Sequence, residues 1–280
     1  MDQARQLKPS SEVYRALHAG MPSSVVGEIN DLIDDLKGHP ADSLDAFLQT
    51  RPHALALGRR MISALMAIAI RDSEEWFKRN QPARDEDWLR LLASKMWDAT
   101  EDHRDFSAAN AGLKIVTFNF DSHIEGYLAR SLRSLYRIGE DAANDLVAQI
   151  GIVHVHGRLP PAGKLTPDWI DEAAKCVKIV VDKDILADTS AAATNAVSEA
   201  RVLCFLGFGY HRQNLWRLQV QSLAAQDKHR GRERDIYGSA FGLRPGEHAW
   251  IKNRFSGLIE LGAEGQNCVD VLRNFYVFRD

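Results

Sequence analysis

Three short segments hold residues whose types and spacing suit chemistry on a sugar or a phosphate. The first is Thr117-Phe118-Asn119-Phe120-Asp121, which sets a hydroxyl, an amide and a carboxylate close together. An amide donates and accepts at once, so Asn119 suits a ribose hydroxyl or a water. Asp121, or Ser122 beside it, equally suits the cap of a following helix. That reading accounts for Asp121 and leaves Asn119 unexplained. The second segment is His154-Val155-His156-Gly157. In a strand the two histidines share one face. Such a pair suits a metal, with His211 as a third ligand, although no carboxylate or cysteine spacing supports it. His156 stands just before a glycine, which lets another group approach closely. An imidazole titrating near neutrality suits a general base there. A structural histidine bonded to a loop is the alternative. The third segment is Gly207-Phe208-Gly209-Tyr210-His211-Arg212-Gln213-Asn214. Two glycines ahead of a helix suit a backbone cradle for phosphate or ribose, or else an ordinary tight turn.

Each segment sits at the end of a run with strand character. Leu113-Lys114-Ile115-Val116-Thr117-Phe118, residues 152–155, 177–181 and 202–206 are short, apolar and rich in β-branched residues. Helical stretches alternate with them, one through Ile124, Leu128 and Leu132, another through Leu215, Leu218 and Val220. Alternation of this kind predicts an α/β fold with a mostly parallel sheet flanked by helices. Ligands of open α/β sheets bind outside the carboxyl ends of the strands, where all three segments fall. From residue 23 to about 104 the periodicity is helical instead. Val25, Val26, Ile29, Leu32, Ile33 and Leu36 recur at three- and four-residue steps until Gly38-His39-Pro40 breaks them. A short helix follows through Leu44, Phe47 and Leu48, then one long buried helix over 55–77, then a stripe through Trp88, Leu91, Leu92, Met96 and Trp97. These stripes read as core. The polar cluster 227–235 reads as a solvated loop.

Composition bounds the classes. The 280 residues are 45% hydrophobic and 26% charged, which excludes disorder or a coiled-coil rod as a description of the whole. A net charge of −3, from 35 basic and 38 acidic residues, carries no direct nucleic-acid signal of the bulk-charge kind. Cys176, Cys204 and Cys268 stand alone, without a Cys-x-x-Cys pair, which excludes a disulfide framework and a zinc ribbon. The opening residues lack a signal-like apolar stretch. The greasy segment 61–70 is shorter than the ~20 residues a bilayer crossing needs. The expectation is a cytoplasmic protein without membrane contact.

Taken in order, Thr-Phe-Asn-Phe-Asp, His-Val-His-Gly and Leu-Gly-Phe-Gly-Tyr-His-x-x-Asn-Leu resemble the bacterial sirtuin-like domain. Gly20-Met21-Pro22-Ser23-Ser24 is similar to the segment after that family's glycine loop. Ser43-Leu44-Asp45-Ala46-Phe47-Leu48 and Asp87-Trp88-Leu89 resemble its helical insertion, and Ile236-Tyr237-Gly238-Ser239-Ala240 a late strand and loop. The resemblance runs from about residue 20 to the carboxyl end. It implies a single Rossmann-like domain over 1–280, with the helical segment 23–104 inserted in or packed on an α/β part over about 112–280.

The resemblance also implies NAD as substrate and no metal. The family's defence members cleave the nicotinamide–ribose bond after phage infection and deplete the cell of NAD. By motif, Asn119 would hold the nicotinamide ribose and the attacking water, and His156 would be the catalytic base. Thr117, Asp121, Gly157, Gly207, Phe208, Gly209, His211 and Asn214 would line the dinucleotide. The deacylases of the family carry a four-cysteine zinc module, for which this chain has no cysteine pairs. The family's amino-terminal strand and Gly-Ala-Gly-x-Ser loop have no counterpart before Gly20, where only Val13-Tyr14 fits a strand. A degenerate loop, or a start inside the domain, would account for this. It leaves a second reading open, a catalytically silent module binding a nucleotide or a partner. A homo-oligomer would cover an open sheet edge, and activation would come from a partner encoded nearby.

Overall fold

The structure is a computed structural model that describes residues 8, 10–40, 44–80, 86–98, 100, 102–161, 164–179, 183–231 and 233–278. In chain order, the first half is helical. Helix α1 (Glu12–His18) is followed by α2 (Ser23–Gly38), α3 (Leu44–Gln49), α4 (Leu55–Arg79), α5 (Trp88–Asp98) and α6 (Phe106–Ala109). Strand β1 (Lys114–Thr117) then leads to α7 (His123–Tyr136) and α8 (Glu140–Ala148), and β2 (Gly151–His154) to α9 (Pro167–Cys176) and α10 (Lys183–Glu199). Strand β3 (Val202–Phe205) precedes α11 (Arg212–Arg217) and α12 (Val220–Arg230). Strand β4 (Asp235–Gly238), α13 (Pro245–Arg254), β5 (Ile259–Leu261) and α14 (Cys268–Asn274) complete the order. The protein is thus a mixed α/β chain with two small parallel sheets, β1-β2 and β3-β4-β5, flanked by helices. The described residues cluster into two compact units.

The first unit comprises residues 1–81, 117–123 and 154–189. Its core is built by helices. Leu17, Leu36, Phe47, Met61, Ile170 and Ile179 meet in one apolar cluster, with α9 packed along α4. Helix α1 replaces the strand expected at Val13-Tyr14. The Ser11 hydroxyl accepts from the Tyr14 N–H at 3.2 Å, which caps the helix, and Val13, Ala16 and Leu17 bury one helical face. By length and composition Pro52–Trp76 is apolar enough to cross a membrane, contrary to the count made on 61–70 alone. In the fold, however, Met61, Ile62, Ala64 and Ala67 of this stretch are buried, which is how a core helix behaves. Arg60 is buried with them and pairs with Asp171 of α9; burial holds the guanidinium below its usual range.

The expected strand over 177–181 differs as well. Residues 177–179 are not in a strand, and Val180 and Val181 lie outside the described residues. What Val177 and Ile179 do instead is fill the helical core. Lys178 between them donates its backbone N–H to the His156 carbonyl at 2.8 Å.

The second unit comprises residues 82–116, 124–153 and 190–280. One apolar cluster joins α5, α7 and α8 through Leu92, Met96, Leu128, Leu132 and Val147. The three-stranded sheet pairs Val202 with Asp235 and Ile236 with Ile259, all in parallel. In the polar cluster 227–235, His229, Gly231 and Glu233 are exposed as expected, but Asp227 and Arg234 form a buried ion pair. Arg234 donates to Asp227 Oδ2 at 2.6 Å, and both side chains are almost fully enclosed. The same guanidinium donates to the carbonyls of Val197, Ser198 and Ala200, closing the end of α10. A charge that far from water persists only when every proton finds an acceptor.

Candidate functional site

In the first unit the site lies where β1 and β2 end. The Val155 N–H donates to the Thr117 carbonyl at 2.9 Å, which continues the pairing of the strands past their ends. Thr117 is buried. Its hydroxyl accepts from the Asn119 N–H at 3.1 Å and turns the chain outward, leaving Asn119 exposed. The Asn119 carbonyl in turn accepts from His154 Nδ1 at 3.1 Å. Asn119 is therefore held by its backbone at both ends of the residue.

His154 and His156 do not share a strand face as expected. Strand β2 ends at His154, and residues 155–156 turn. The two rings meet different carbonyls as a result. His156 Nδ1 lies 3.4 Å from the Lys178 carbonyl. A carbonyl only accepts, so Nδ1 carries a proton in this contact. Phe118 meets the ring edge-on at 5.4 Å and Phe120 stacks at 5.7 Å. Two aromatic neighbours and one anchored nitrogen fix the imidazole's orientation.

Gly157 makes this possible. Its φ is +84°, and a Cβ there would run into the Cys176 carbonyl oxygen. Only glycine lets the chain after His156 pass so close to the end of α9. Asp121 serves the helix that follows. Its Oδ1 accepts from both the backbone N–H and the ring Nδ1 of His123, each at 3.0 Å. This is the capping arrangement weighed for it in the sequence.

In the second unit a cavity of about 350 Å³ opens at the carboxyl ends of the three parallel strands. Gly207, Phe208 and Gly209 line it from the turn after β3, Ser239, Phe241 and Leu243 from the turn after β4, and Asn267 and Cys268 from the start of α14. This is where an open parallel sheet binds ligands. Gly207 has φ +57° and donates its N–H to the Ser239 hydroxyl at 2.9 Å. Tyr210, also at positive φ, is buried and donates to the Ser239 carbonyl at 3.0 Å. A side chain at Gly238 would collide with that Tyr210 hydroxyl. Burial pushes the Cys268 thiol up, against hydrogen bonds to Gly207 and Ser239 that pull it down.

The glycine turn thus contributes three of its expected residues to the cavity. The imidazole of His211 rests against Gly209 instead, and Asn214 is half-buried on α11; neither lines the cavity. Ser239, Phe241, Leu243, Asn267 and Cys268 were not singled out as ligand-lining residues. The sequence signals were present but modest. Gly238-Ser239 ends a strand, and Asn267 with Asp270 has the spacing of a capping box, which the structure forms. Among the described residues no group of three or more His, Cys, Asp or Glu could hold a metal ion.

Fold and site define an α/β protein with a histidine-and-amide strand end in one unit and a cavity at the ends of parallel strands in the other. No family model, no curated protein and no solved structure matches the chain.

Proposed function

We propose that the protein is a hydrolase that cleaves the nicotinamide–ribose bond of NAD, with Asn119 and His156 as its working residues. The observation that carries this reading is the anchored imidazole. With Nδ1 directed at the Lys178 carbonyl, the His156 ring is held on the same strand ends as an exposed amide. In the reaction, water adds to the ribose carbon as the bond to nicotinamide breaks. Nicotinamide leaves with the bonding pair, and the proton of the water, or of a ribose hydroxyl, passes to His156. Positive charge builds on the sugar, so oriented dipoles such as the Asn119 amide serve better than a strong nucleophile.

The cavity at Gly207–Gly209 is a feature of the other unit and stands by itself. Its position at the ends of parallel strands suits an adenosine-sized group. The Gly207 N–H is already committed to Ser239, so any phosphate would be held by other donors of the turn. A role in anti-phage defence by NAD depletion, in the cytoplasm and under the control of a partner, belongs to the same proposal. Incubation of the purified chain with NAD, followed by chromatography for nicotinamide and ADP-ribose, tests it.

One observation favours a second reading. Residues 12–18 form a helix where the sirtuin-like resemblance would place a strand and a phosphate-binding glycine loop. A catalytically silent module that binds an adenine nucleotide or a partner would tolerate that change. Nicotinamide release separates the two, since a silent module releases none, and calorimetric titration with NAD then distinguishes a nucleotide-binding module from a partner-binding one.

A further inference from the structure

We propose that the surface formed by α11 and α13 binds single-stranded nucleic acid through stacking on Trp216 and through the guanidinium groups of Arg212 and Arg254 gathered at Trp250. Trp216 is 77% exposed, more than any other large hydrophobic side chain described. It lies one helical turn beyond Arg212 on α11, so the two share a face. Arg212 places its guanidinium over the Trp250 ring of α13 at 5.8 Å, and Arg254 places a second one at 5.1 Å from the same ring. Arg254 is further steadied by donation to Gln221 at 2.9 Å. The indole of Trp250 is thereby held in register with two cationic planes.

The charge of this surface opposes that of the chain. Arg212 and Arg254 bring two guanidinium groups to this surface, while the whole protein carries −3. The only acid among the residues of α11 and α13 is Glu247, whose carboxylate is engaged by the Arg244 N–H at 2.7 Å. A local basic surface on an acidic chain selects a polyanion. Exposed indole and guanidinium planes select one that also offers flat rings, because every base has a face to stack. An acidic peptide would use the charge and leave Trp216 in water. A duplex would hide its base faces. Single-stranded nucleic acid satisfies both features, and this local pattern was invisible to the bulk charge balance.

The test uses the full chain and a fluorescein-labelled oligothymidylate, read by fluorescence anisotropy at low salt and by quenching of tryptophan emission. The expected result is binding that falls steeply with salt and weakens by roughly tenfold in Trp216→Ala. Arg212→Gln should weaken it as well, with a shallower salt dependence. Trp216 is too exposed for its removal to unfold the protein, and circular dichroism verifies that. Absence of binding would overturn the proposal, as would binding unchanged in Trp216→Ala. Competition by polyglutamate as effective as that by unlabelled oligonucleotide would reassign the surface to acidic peptides. A dimer in light scattering that Trp216→Ala dissolves would make it a contact between copies of this chain.

Discussion

His156 and Lys178 are joined twice. The Lys178 N–H donates to the His156 carbonyl at 2.8 Å, and the His156 ring donates back to the Lys178 carbonyl through Nδ1 at 3.4 Å. The first contact holds the backbone of the histidine and the second its ring. Backbone and ring are therefore both positioned by one segment, and that segment is itself pinned in the core by Val177 and Ile179.

The reciprocal contact depends on Gly157. Gly157→Ala introduces a Cβ at positive φ and against the Cys176 carbonyl. The variant should lose at least about 2 kcal/mol of stability in urea denaturation. A stability within ~0.5 kcal/mol of the parent would mean the chain passes α9 less closely than described.

Stability should depend on Asp121 in acid. Burial alone would raise its carboxyl, but the His123 ring and backbone donors outweigh burial and hold it below its ordinary value. A carboxyl whose folded pKa is lowered stabilises the protein above the unfolded value, about pH 4, and the stabilisation is lost as the pH falls through the folded value. Asp121→Ala should therefore be less stable than the parent at neutral pH and converge with it in acid. Denaturant midpoints across that range measure the convergence.

Arg234→Ala should be among the most damaging single changes in the second unit. It leaves Asp227 charged in a closed interior and abandons the carbonyls of Val197, Ser198 and Ala200. Breaking such a pair costs about 3–5 kcal/mol. Thermal unfolding would register it as a large fall in Tm, whereas exposed pairs such as Lys37–Asp34 should contribute little when removed.

Cys204 should resist thiol reagents. Burial pushes its thiol up to about 12, so almost no thiolate exists at neutral pH. Ellman's reagent should react with it only on unfolding; fast reaction in the native protein would contradict its place in β3.

Much of this fold was legible because its periods are long. The helices over 23–38, 55–79 and 88–98 announce themselves through apolar residues at helical spacing, and β1, β2 and β3 through short β-branched runs. Val13-Tyr14 misled because two apolar neighbours suggest a strand, while the deciding features were the Ser11 cap and the spacing of Val13, Ala16 and Leu17. Arg234 and Asp227 misled for another reason. Charged residues in sequence read as solvated, and only the fold encloses them together. Of the candidate site, Asn119, His156 and the glycine turn could be picked out as polar or small residues at strand ends. Ser239, Asn267 and Cys268 could not, because a cavity at the ends of parallel strands is assembled from turns far apart in the chain.

The most direct test of the account is nicotinamide release from NAD by the purified protein beside His156→Ala and Asn119→Ala. The account predicts release by the parent and a fall of about 100-fold or more in each variant, with both variants folded. Release that survives both substitutions, or a parent that neither releases nicotinamide nor binds NAD, would contradict it.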